Sequence, residues 1–182
     1  MIILDWRYFC RRYLFDAYIV NVRNISASTL LLNKEEMDLI SLPSNLADRY
    51  LVQKNDILIA RSGSPGSVRL IIDNDDVIYC GFIIHCLPFD ENMRYFLTFS
   101  LKKYEGTSAT KTGGSILQNV SQDTLKALRF PIPPKNVLKQ FNKQIVQLIN
   151  LMQLSNKENQ ELASLRGFLL PMLMNGQVTF KD

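Results

Sequence analysis

The sequence holds a single histidine, His85, and three cysteines, Cys10, Cys80 and Cys86, none of them spaced as Cys-x-x-Cys. One histidine restricts any Ser-His-Asp or Cys-His arrangement to position 85. There the surroundings Ile83-Ile84-His85-Cys86-Leu87 read as an apolar strand, in which a histidine satisfied within the fold is the expectation. Cys80, His85 and Cys86 lack finger spacing, and alternation along a strand sets His85 opposite Cys86, so no metal site is expected. An odd number of cysteines suits reduced thiols in a cytosol rather than a disulfide frame. Asn-Pro-Pro-Tyr and Asp-Pro-Pro-Tyr methyltransferase signatures are missing, as is a Gly-x-Gly-x-x-Gly loop, and no Glu-x-Lys follows an aspartate as in metal-dependent nucleases. A chain without chemistry or cofactor of its own, and so not an enzyme, is the expectation.

Long apolar runs are absent as well: none approaches the ~20 residues that span a membrane. The opening MIILDWRYFCRR carries Asp5 and Arg7 inside its apolar part, which leaves too short a core for a signal peptide. A soluble, cytoplasmic protein is expected.

What is present fits one main domain with an appendage, because 182 residues at 47% hydrophobic and 21% charged can bury one core of ordinary size. The net charge of +4 is mild, but its distribution is not even. From Asp73 to Glu91 every charge is acidic, whereas Arg94 to Lys135 carries seven Lys or Arg against Glu105 and Asp123. The second region is a candidate for contact with a polyanion.

The stretch DILIARSGSPGSVRLII, Asp56 to Ile72, superficially looks like a phosphate-cradling loop. A P-loop closes with Gly-Lys-Ser/Thr and opens a helix. Here no lysine follows Gly66, and Ser67 to Ile72 is rich in β-branched residues, so the stretch reads as strand, tight Gly/Pro turn and strand. Its tip carries Arg61, Ser62, Ser64 and Ser67. Tyr18 to Val22 and Val77 to Leu87 also read as strands, and Met93, Phe96, Leu97 and Leu101 have helical spacing. Gly106 to Asp123 is a long polar loop with small residues, of the kind that carries function in compact domains.

Beyond Phe130 the character changes. Pro131-Ile132-Pro133-Pro134 is rigid, and Pro134 is placed to open a helix at Lys135. From Lys135 to Arg166 there is neither glycine nor proline, and Leu138, Phe141, Ile145, Leu148, Met152, Ser155, Asn159, Leu162 and Leu169 fall largely at spacings of three and four. That is a coiled-coil seam with a polar dip in its middle. Thirty-odd residues make a rod of roughly 48 Å, too long to lie on so small a domain, and its apolar stripe calls for a partner helix.

The order of these pieces resembles one half of a specificity (S) subunit of type I restriction-modification enzymes. The resemblance lies in Tyr18-Ile19 through Asn24-Ile25, Leu51 to Gly66, Gly114 to Ser121, Leu128 to Pro134, and a long helix ending Leu169-Leu170-Pro171-Met172-Leu173-Met174-Asn175-Gly176. It implies an α+β fold: a mixed α/β target recognition domain over 1–133, then a conserved dimerising helix and tail over 134–182. It also implies double-stranded DNA as ligand, with a modification (methyltransferase) subunit and, through it, a restriction subunit as partners. On that reading Lys111, Thr112, Ser115 and Gln118 in the long loop are the first candidates for DNA contact. Glutamine suits adenine, lysine suits guanine or phosphate, and small hydroxyls suit phosphate. Arg61, Ser62 and Ser64 come next, then Lys102, Lys103 and Arg94. Full S subunits carry two recognition domains and two such helices, whereas this chain has one of each. It is therefore expected to form a homodimer through Phe141, Ile145, Leu148, Met152, Leu162 and Leu169, each chain binding one half-site. A truncated or recombinational S fragment, or a helical adaptor that does not read DNA, are the alternatives.

Overall fold

The structure is a computed structural model of the chain and describes residues 14–28, 30–72, 76–105 and 119–177. It shows a mixed α/β region with two small sheets, followed by one long helix. The chain divides into two compact units, Met1–Lys139 and Gln140–Asp182.

In the first unit, β1 (Leu14–Val20) pairs antiparallel with β2 (Asp38–Pro43) and parallel with β5 (Val77–Tyr79). The second sheet has β3 (Ile57–Ala60) at its centre, antiparallel to both β4 (Val68–Leu70) and β6 (Ile83–Cys86). All four residues of β3 are buried, which is why Ile57-Leu58-Ile59-Ala60 is apolar without alternation. One apolar cluster joins the sheets, with Val20 and Val77 from the first meeting Leu58, Ala60 and Ile83 from the second. A second cluster, Ala17, Leu42, Ala47 and Ile78, covers the other face of the first sheet with helix α2 (Ser44–Tyr50).

The Asp56–Ile72 stretch folds as expected, into a hairpin with Ile57 opposite Leu70 and Ile59 opposite Val68. Its turn uses Gly63 (φ 77°) and Gly66 (φ 80°), a region of backbone space in which a side chain is strained. Two strand readings need correction. Val77 to Leu87 is not one strand: the chain leaves the first sheet after Tyr79, turns with the Ile83 amide donating to the Cys80 carbonyl at 3.0 Å, and enters the second sheet as β6. Gly81, alone in an apolar run, marks that turn. Tyr18 to Val22 ends at Val20, because the Asn21 amide donates to Asn24 Oδ1 at 2.8 Å and helix α1 (Val22–Ala27) begins. Asn24, itself buried, also donates through Nδ2 to the Glu36 carbonyl.

The spacing of Met93 to Leu101 does give a helix, α3 (Arg94–Lys103). Short α4 (Gln122–Ala127) was not expected, and Ser121 caps it by accepting the Thr124 amide at 3.0 Å. Helix α5 starts at Lys135, with the Leu138 amide donating to the Pro134 carbonyl, and runs 40 residues to Met174. It ends within the stretch Leu169 to Gly176 that the family resemblance gave as its end, and neither Gly167 nor Pro171 stops it earlier. Pro171 removes the donor that would meet the carbonyl of Gly167, one turn before, and its ring crowds that carbonyl, yet the helix runs on to Met174. The helix ends where Gly176 (φ 67°) lets the Gln177 amide reach the Met172 carbonyl at 2.9 Å, the six-to-one closure of a Schellman motif. Among the described residues no helix is long and apolar enough to cross a membrane.

Candidate nucleic-acid interface

The tip of the β3–β4 hairpin is held from three directions. Ser64 Oγ lies 2.7 Å from Ser26 Oγ on α1, and a Cβ at Gly63 would stand 2.5 Å from Val22 Cγ1, so only glycine lets the turn settle onto that helix. The Arg61 amide donates to the Phe82 carbonyl at 2.8 Å, and the Arg61 carbonyl accepts the Val120 amide at 2.8 Å. Arg61 thus ties together the hairpin tip, the turn before β6 and the chain entering α4. Its side chain is exposed, Ser62 and Ser64 are half-buried, and Phe82 is exposed beside them. A cation and several hydroxyls on a rim whose backbone is fixed can bind phosphate or a base edge with little ordering cost.

A second cluster fixes the end of α3. Arg69 on β4 is 4% exposed; its Nη1 donates to Glu105 Oε1 at 2.9 Å and to the Val68 carbonyl, and its Nε donates to Ser28 Oγ at 3.1 Å. Lys102 Nζ lies 2.8 Å from Glu105 Oε2. Burial works to raise the Glu105 carboxyl, but the bonds from Lys102 and Arg69 outweigh it and hold the group below its ordinary range. Lys102 therefore spends charge inside the fold, while Lys103 is exposed.

Arg94 is likewise drawn inward: Nη1 donates to the Lys54 carbonyl at 3.0 Å and lies 3.6 Å from Asp56 Oδ1. His85 Nε2 stands 2.8 Å from Asp56 Oδ2, and its ring packs 5.4 Å from that of Tyr79. The histidine is thus bound within the fold, as its place in an apolar strand suggested. Burial pushes the Cys86 thiol up, away from thiolate chemistry. Among the described residues no group of three His, Cys, Asp or Glu could hold a metal ion.

Of the sequence candidates, Arg61, Ser62 and Ser64 share one rim, and Lys102 and Lys103 end α3. Lys111, Thr112, Ser115 and Gln118 lie outside the described residues, although both flanks of their segment are anchored, at Glu105 and at Val120. Reading the residues alone missed Ser26, Arg69, Glu105 and Phe82. Only Phe82 left a signal, the neighbouring Gly81 in a strand-like run. The six expected seam residues all lie on α5: Phe141, Ile145 and Leu169 are half-buried in the single chain, and Leu148, Met152 and Leu162 are exposed.

The family described as type I restriction modification DNA specificity domain matches residues 20–164. The specificity subunit of type I restriction enzyme HindI from Haemophilus influenzae (strain ATCC 51907 / DSM 11121 / KW20 / Rd) is 30% identical over 95 residues, which make up 50% of this chain and 21% of that subunit. The shared stretch therefore spans about a fifth of that relative's length.

Proposed function

The chain belongs to the family of type I restriction-modification DNA specificity domains, and from that premise we propose that it reads duplex DNA, one half-site per chain. Its role is sequence specificity in restriction-modification. The observation that supports the finer reading is the rim at Arg61, whose backbone bonds both Phe82 and Val120, with an exposed cation next to Ser62 and to Ser64, which Ser26 holds. The reading domain is assigned to 1–133, the pairing helix and tail to 134–182. Methylation chemistry belongs to a modification subunit, which in turn brings the restriction subunit, and the chain itself is not an enzyme.

Pairing of two copies through α5 follows from its exposed stripe. Leu148 is 55% and Leu162 62% exposed, and leaving such side chains in water forgoes about 1.5–3 kcal/mol each. Antiparallel pairing of two identical helices creates a two-fold axis, which makes the target an interrupted palindrome. The polar residues Lys139, Lys143, Gln147, Asn150 and Gln153 then face a second protein, the modification subunit.

The experiment is selection of bound sites from random duplexes, followed by an adenine methylation assay on a plasmid library with the modification subunit added. An interrupted palindrome that the mixture methylates, and the chain alone does not, is the expected result. Methylation by the chain alone refutes the division of labour. A complex with the modification subunit that enriches no sequence refutes DNA reading and leaves a helical adaptor.

A further inference from the structure

Phe82 is a large apolar side chain left 62% exposed on a rim otherwise lined by polar groups. The fold does not place it there for packing, because the core beneath is made by its neighbour Ile83 and by Ala60 across the ladder. Its backbone is held on two sides. The Ile83 amide closes the turn onto the Cys80 carbonyl at 3.0 Å, and the Phe82 carbonyl accepts the Arg61 amide at 2.8 Å. That second bond extends the Ala60–Ile83 register by one pair, so Arg61 and Phe82 face each other across the strand ends.

We propose that Phe82 is an apolar base contact of the DNA interface, meeting a thymine methyl group in the major groove beside the edge met by Arg61. The inference rests on the DNA reading proposed above and deepens it. A side chain held level with Arg61 by a backbone bond meets the same groove as that guanidinium. The apolar feature that distinguishes base pairs there is the thymine C5-methyl, for which phenylalanine is a fitting partner. Arg61 and the hydroxyls of Ser62 and Ser64 supply the polar contacts around it, so the ring loses water where the DNA is already held.

The test uses the full chain with its modification subunit, as wild type, Phe82→Ala and Phe82→Leu, in selection from random duplexes. Wild type should enrich thymine at a position where Phe82→Ala enriches none, with affinity for the selected site falling about three- to tenfold. Phe82→Leu, which keeps apolar bulk, should retain the thymine preference. Uracil in place of that thymine should cost wild type a similar factor and should leave Phe82→Ala unaffected. If Phe82→Ala enriches the wild-type motif with wild-type affinity, or if the relaxed position is indifferent to uracil, the Phe82 assignment is overturned while DNA reading stands. If wild type enriches no motif, both fall together.

Discussion

Arg69 and Glu105 meet at 2.9 Å, joining a guanidinium buried in β4 to a carboxylate just past the C-cap of α3. The pair is asymmetric, with the arginine side chain 5% exposed and the glutamate 24%. Removing the glutamate strands a buried cation, whereas removing the lysine on its other side leaves the buried pair intact. Glu105→Ala is therefore predicted to lower the unfolding free energy by about 2–4 kcal/mol. Lys102→Ala should cost less than about 1 kcal/mol, since that ammonium is partly solvated. Urea unfolding of the three proteins measures both. Equal losses would mean that Arg69 does not depend on this carboxylate.

Asp56 yields a prediction in pH. Burial works to raise its carboxyl, but the bonds from His85 and the Gln53 amide, together with the charges of His85 and Arg94, leave it below the ordinary value. A carboxyl depressed in the folded state contributes stability above its unfolded pKa, about 3.9, and that contribution is lost as pH falls through the folded value. Acidification below about 4 should remove the contribution. Asp56→Asn should be less stable than wild type at pH 7 and should lose less on acidification. Urea midpoints across pH 2–7 for both proteins give the comparison, and parallel curves would contradict it.

The α5 stripe predicts an assembly state. Wild type should scatter light as a homodimer at micromolar concentration. Leu148→Asp or Leu162→Asp, each placing a charge in the seam, should raise the dissociation constant on the order of a hundredfold while leaving the sheet region's circular dichroism unchanged. A wild-type monomer would sink the pairing scheme, and an aspartate variant that stays dimeric would move the interface off this seam.

Much of the fold was legible where local chemistry decides it. The hairpin at Asp56–Ile72 was readable because two β-branched runs flank glycines that take positive φ, and α5 because Pro134 opens a long gap in helix breakers. The split of Val77–Leu87 between two sheets was not, since both halves are apolar and buried and only Gly81 separates them. Nor could a sequence show that Arg69 turns inward to Glu105 while Arg61 stays exposed. Both flank the same turn, and the difference comes from Glu105, just past α3 and 36 positions after Arg69. The rim was half-visible for the same reason: Arg61, Ser62 and Ser64 lie together in sequence, but Ser26 and Phe82 reach them only through the fold.

The division of labour along the rim gives the last prediction. Arg61 has its guanidinium exposed on a fixed backbone, so it can read an edge, and Lys111 and Gln118 are the first candidates that the long polar loop offers in the sequence. Alanine at each should relax preference at particular base positions, by about 1–3 kcal/mol apiece. Lys103 is exposed at the end of α3 and, on the proposed DNA reading, offers a flexible point charge suited to phosphate rather than to a base edge. Lys103→Ala should weaken all sequences alike and reduce the salt dependence by about one counterion. Lys102→Ala should do less than Lys103→Ala, because Glu105 already takes that charge. Binding titrations at several salt concentrations, on the selected duplex and on a scrambled one, separate the two kinds of loss. If Arg61→Ala weakens both duplexes equally, Arg61 serves phosphate and not sequence. If Lys111→Ala and Gln118→Ala leave the selected motif unchanged, the Gly106–Gln118 segment is only a connector and the reading edge lies at the hairpin tip.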